Sequence, residues 1–282
     1  MTRRRISLIC LIFLTLFAAA CGPEAKKKRA LEGGNKYFEK GQYKQARLMY
    51  LNAIKADPRF GEAYYKLALT NLRLGSYAEA VGNLQRTIEM QPENLDAHSK
   101  LADIYLSVYS SNPVKNKIYL NDIRDLAGRM EKRGKGSYED LRMRGFLAIA
   151  DGKGEAGLAL FREADKKKPD QQVLQLTIAR TMLALKQVDE AAAYLQAMLA
   201  KDKSFGTPYD LLYGIAMLQG KPDEAERVMI LRVENNPKDA ANRLRLAAHF
   251  FVNQKVPAME KILSETLSRR AEFSNAFMDV AD

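Results

Sequence analysis

The side chains able to do chemistry in this sequence are few and widely spaced. Both cysteines, Cys10 and Cys21, fall in the first 21 residues, so the rest of the chain has no disulfide and no thiolate metal site. The two histidines, His98 and His249, stand 151 residues apart, and neither has a second ligand or a paired acid at helical spacing. Metal binding and acid–base catalysis are therefore not expected. Gly152-Lys153-Gly154 is glycine-rich but lacks the Gly-Lys-Ser/Thr ending with which a loop cradles phosphate. Lys166-Lys167-Lys168-Pro169 reads as the basic end of a helix, where cations face the negative pole of the dipole. These residues predict no enzyme: no catalytic residue, no metal, no cofactor and no small-molecule substrate.

The composition around them is that of a folded chain, 47% hydrophobic and 28% charged. The formal charge of +11 includes Arg3, Arg4 and Arg5, and +8 remains once the first twenty residues are set aside. The signs are mixed along most of the length, and only Lys26 to Arg29 and Lys166 to Lys168 form basic runs. No aromatic-interleaved basic strand and no zinc-finger spacing occurs, so nucleic acid is not the expected partner.

The N-terminus has three zones: Thr2 to Arg5, basic; Ile6 to Ala20, apolar; and Ala18-Ala19-Ala20 directly before Cys21. This is the layout of a secretory signal, and its 15 apolar residues fall short of the roughly 20 that span a bilayer. Small residues followed by cysteine resemble the lipobox of bacterial lipoproteins, although Ala18 stands where leucine is preferred. The resemblance implies a signal peptide over 1–20, acylation of Cys21 and a short linker over 21–26. It also implies an envelope location, with Gly22 after the cysteine pointing to the outer membrane, the protein facing the periplasm. Lys26 to Arg29 would then lie near the bilayer, or would simply open the first helix.

Prolines and glycines set the elements. Pro58 and Pro92 are 34 apart and Pro169 and Pro237 are 68 apart; Gly41 and Gly75, and Gly152 and Gly220, repeat the two intervals. Between them, large, small and aromatic residues keep a fixed order: Tyr37, Gly41, Ala46, Tyr50, Ala53 and Pro58, then Tyr64, Leu67, Ala68, Gly75, Ala80, Leu84 and Pro92. The period and the pattern resemble the tetratricopeptide repeat. The resemblance implies an all-α fold, an α-solenoid with a right-handed superhelix of helix-turn-helix units, each stabilised by its neighbours.

Seven units run over 27–60, 61–94, 95–137, 138–171, 172–205, 206–239 and 240–273. The third carries about nine extra residues, after Tyr105 or in the Gly134 to Ser137 turn, and is expected as a lengthened helix pair. Residues 274–282 start a further helix, as if a longer array were cut there.

In this family the first helix of each unit lines a concave groove. Carried over by position, the groove residues are Asn35, Phe38, Tyr65, Leu69, Arg73, Arg142, Phe146, Ile149, Arg180, Leu183, Met217 and Phe251. The carboxylate clamp of chaperone-binding members is not expected, because Leu31 and Asp96 stand where lysines are required. The partners implied are other proteins or peptides, with the membrane reached through the lipid. The chain is expected to be an envelope scaffold, with the PEP-CTERM and exopolysaccharide-associated lipoproteins a similar group. Two other readings stay open: a non-catalytic part of a larger enzyme, and a polysaccharide-binding solenoid. So does the possibility that the groove residues pack against one another.

Overall fold

The computed structural model describes residues 22–273, all of it helix and turn among the described residues. Antiparallel pairs follow in order in the N-terminal part, α1 (Pro23–Glu39) and α2 (Tyr43–Ala56), α3 (Gly61–Arg73) and α4 (Tyr77–Met90), and α5 (Leu95–Ser111) and α6 (Lys117–Gly134), and then α7 (Tyr138–Ala150); the C-terminal part begins with α8 (Gly154–Lys167) and continues with the pairs α9 (Gln172–Ala184) and α10 (Val188–Lys201), α11 (Gly206–Leu218) and α12 (Pro222–Asn235), and α13 (Ala240–Val252) and α14 (Val256–Ser268). The architecture is all-α, a solenoid-type series of helix-turn-helix repeats. The described residues form two compact units, one ending at Asp151 with α7 and the other starting at Gly152 with α8.

Within each pair the helices approach closely because the crossing residue is small. Ala46 and Ala80 in the first unit, and Ala191 and Ala225 in the second, are fully buried at the same place in their repeats. Four residues further on, a large side chain fills the seam: Tyr50, Leu84 and Leu195 have no exposed surface, and Met229 is buried as well. Burying each such side chain contributes on the order of 1.5–3 kcal/mol. The turn inside a pair needs a residue with positive φ, which Gly41, Gly75 and Gly220 supply at 68–75°. Lys186 and Gln254 take the same turn at 62° and 58°, a conformation that is costly for a residue with a Cβ.

The third pair is long, 17 and 18 residues against 13 and 14 in the second pair. Its surplus chain lies in extra helical turn and in the 112–116 connection. The first helix also begins earlier than the linker expected over 21–26 allows, since Pro23 to Lys26 form its first turn. Proline suits that position, having no N–H to leave unpaired, and Glu24 there accepts Lys27 at 2.8 Å. Lys27 also bonds Asp57 at 2.7 Å and lies over the Phe60 ring, so part of the basic run ties α1 to the α2–α3 loop. The signal segment, Cys21 and residues 274–282 lie outside the described residues.

Candidate functional site

The inner positions of the first helices divide into side chains consumed by lateral ties and side chains left outward. In the first unit, Asn35 on α1 accepts a hydrogen bond from Tyr50 at 2.8 Å. Burial pushes the Tyr50 hydroxyl up to about 12, so it stays a donor at neutral pH. Phe38 packs edge-on against Tyr43, its ring 5.3 Å away. Tyr65 on α3 donates to Asp96 of α5. Leu69 is half-buried.

Arg142 departs most from the groove expectation. Only 8% of it is exposed; its guanidinium bonds Asp103 at 2.6 Å and Ser99, both on α5, and lies 5.8 Å from the Phe146 ring and 5.9 Å from Tyr138. A cation this buried must be paired, and the pairing turns it from a groove residue into a cross-repeat tie. Phe146 is its apolar support. Arg73 and Ile149 are the groove residues of this unit that stay exposed.

The second unit repeats the device. Asp210 on α11 accepts from Arg232 of α12 and from Arg245 of α13 at 2.7 Å. Arg232 is buried where other repeats have Ala53, Thr87 or Ala164, and Gly206 makes room for it, since a Cβ there would sit 2.8 Å from the guanidinium. Leu183 packs with Ala179, Leu195 and Leu212. Arg180 is exposed, Met217 half-buried, and the helix ends present Leu218, Phe251 and Val252 at 92%, 65% and 69% exposure.

Neither histidine sits in a reactive setting. His98 is fully buried with Nδ1 on the Asn94 carbonyl, and burial, with Arg133 and Arg129 nearby, pushes it below its usual range. Burial likewise lowers His249, which lies against Tyr213, Asn253 and Glu226. Sequence reasoning missed the half-buried Asp165–Tyr194 pair, in which desolvation raises both groups. It also missed two clefts. One in the second unit, about 370 Å³, is lined by Leu199, Leu212, Val228 and Leu231; one in the first, about 430 Å³, lies between α3 and α5. Among the described residues no group of His, Cys, Asp or Glu could hold a metal, and no helix is long and apolar enough to cross a membrane.

Antiparallel helix pairs on a step of 34 residues, tied laterally along their inner faces, define a helical-repeat protein of the kind that presents surface to other proteins. The chain belongs to the tetratricopeptide-repeat family: a TPR repeat profile matches residues 34–75, and two tetratricopeptide repeat profiles match 72–107 and 148–214. It is 26% identical over 137 residues to Hsp70-Hsp90 organizing protein 1 of Glycine max, covering 43% of this chain and 24% of that one. With DnaJ homolog subfamily C member 7 of Homo sapiens it shares 30% over 87 residues, 30% of this chain and 18% of the other. The chain thus spans about a quarter or less of the length of these relatives. Among solved structures, PilW, described as a widely conserved type IV pilus biogenesis factor, superposes with a TM-score of 0.61 at 17% identity, over 78% of this chain and 98% of that one. PilF of Pseudomonas aeruginosa gives 0.56 at 13% identity, over 80% and 99%. At these identities the likeness is one of fold. Repeats of this family make protein–protein interaction scaffolds, and that is the function class of this chain.

Proposed function

We propose that the chain is a lipid-anchored envelope scaffold whose repeats recruit or assemble other proteins into an envelope, secretion or polysaccharide-export complex, and that it performs no catalysis itself. The observation that carries the binding half is the apolar surface at the repeat ends. Leu218, Phe251 and Val252 stand 65–92% exposed, while lateral ties already satisfy Arg142 and Asp210. Large apolar side chains held outward on rigid helices are the usual raw material of a docking surface. Support for the anchor comes from the N-terminal pattern, in which Ala18-Ala19-Ala20 precede Cys21. Acylation there would give several hydrocarbon chains, where one alone binds only marginally. The location follows: the outer membrane, facing the periplasm.

Two arms test the reading. Cys21→Ser is expected to move the protein from the membrane to the soluble fraction, and unchanged partition sinks the anchor. Photocrosslinkers placed at Leu218 and Phe251 are expected to capture a reproducible envelope protein, and capture equal to that at the exposed, polar Lys261 of α14 sinks the scaffold.

A further inference from the structure

The long third pair has a consequence in the first unit. The helix α5 runs four residues past the 13 of α3, and Val108 is its fourteenth residue, one place beyond where a helix of ordinary length would stop. Val108 extends the face of α5 that carries Lys100, Asp103, Ile104 and Ser107, opposite the end of α3 and the start of α4. Between them lies the cavity of about 430 Å³, within the range of sites that hold small ligands or peptide side chains.

Its walls are Leu72, Tyr77, Ile104 and Val108, with Lys100, Asp103 and Ser107 completing the lining. Charge decides the occupant. The one carboxylate, Asp103, is already taken by Arg142 at 2.6 Å. The Lys100 side chain has no hydrogen-bond or ion-pair partner among the described residues, and neither has exposed Arg73, the residue after Leu72. An apolar cavity that holds an unanswered cation favours a ligand with an apolar side chain beside a carboxylate, since a cationic ligand would meet like charge.

We propose that this notch is a docking site for an acidic, apolar peptide segment of a partner protein, its Leu- or Phe-type side chain seated among Leu72, Tyr77, Ile104 and Val108 and an adjacent Glu or Asp on Lys100. The assignment rests on the scaffold reading and names the chemistry of one partner segment.

The test uses the full chain and fluorescence anisotropy of a short labelled peptide in which Leu and Phe alternate with Glu, beside a control with Lys in place of Glu. The acidic peptide is expected to bind the wild type and the Lys control is not. Lys100→Glu is expected to weaken the acidic peptide by about tenfold or more and to gain binding of the control, as reversal of a charge-assisted contact requires. Ser107→Trp, at an exposed position, is expected to fill the notch and weaken the acidic peptide with unchanged circular dichroism. Equal binding of both peptides, no binding of either, or indifference to both variants overturns the site. If the photocrosslinkers still capture their partner in that event, the scaffold reading stands and the notch alone is wrong.

Discussion

Replacing Asp103 by Ala separates a structural tie from a groove residue. The pair is asymmetric: the Arg142 side chain is 9% exposed and that of Asp103 is 37%. Removing the carboxylate leaves a guanidinium in the interior with one hydrogen bond, to Ser99, and with Nε unpaired. Breaking a fully buried pair from one side costs about 3–5 kcal/mol. Water reaches the Asp103 side, so the cost of Asp103→Ala is expected at about 2–3 kcal/mol. Arg142→Met removes the buried charge itself. The freed carboxylate then hydrates, and the principal losses are cation–π contacts with Tyr138 and Phe146 at 5.9 and 5.8 Å, so about 1 kcal/mol is expected. The double variant should resemble Arg142→Met, because the penalty of the first change vanishes once no buried cation remains. Urea unfolding followed by circular dichroism reads all three as midpoint shifts at constant slope. Arg142→Met costing as much as Asp103→Ala, or the two effects adding within about 0.5 kcal/mol, would refute the tie. Arg142→Met carries a second consequence, since it exposes the Asp103 charge beside Lys100 and should weaken the acidic peptide.

Gly34→Ala places a Cβ 2.4–2.9 Å from three atoms of the Tyr50 ring, which is fully buried and hydrogen-bonded to Asn35. Overpacking at about 1–3 kcal/mol outweighs the roughly 1 kcal/mol of helix propensity that alanine returns, so a net loss is expected, and restored stability in Gly34→Ala/Tyr50→Leu checks the cause. His98 is held below its unfolded range by burial, so near-neutral solution finds it uncharged in the fold. As pH falls below about 6.5 the unfolded chain takes up the proton first, and stability is lost progressively toward the folded value. Urea midpoints between pH 7.5 and 5.5 are expected to drop less in His98→Gln than in the wild type.

How far the sequence could be read depended on whether a residue answers to its own repeat or to the next one. Ala46, Ala80, Ala191 and Ala225 and the positive-φ glycines are fixed by the geometry of a single helix pair, so a step of 34 exposes them. The groove residues are fixed across repeats, and position alone could not say which would be spent. Arg142 finds Asp103 39 residues back, a separation stretched past the period by the insertion in the third repeat, so the pairing left no mark at spacing 34. Asp210 serves cations 22 and 35 residues ahead, and Arg232 stands where the first, second and fourth repeats bury Ala53, Thr87 and Ala164, a departure that was visible in the sequence and signalled a buried charge needing an acid. The notch was hidden for the same reason as the Arg142 tie. Extra residues in the third repeat announce longer chain, and only the structure shows that they extend α5 by a turn and so add Val108 to the apolar lining of the notch. The irregular repeat is therefore where both the Arg142 tie and the notch arise. A deletion that restores α5 to ordinary length should remove Val108 from the notch and weaken the acidic peptide, while keeping Ser99 and Asp103 in place for Arg142.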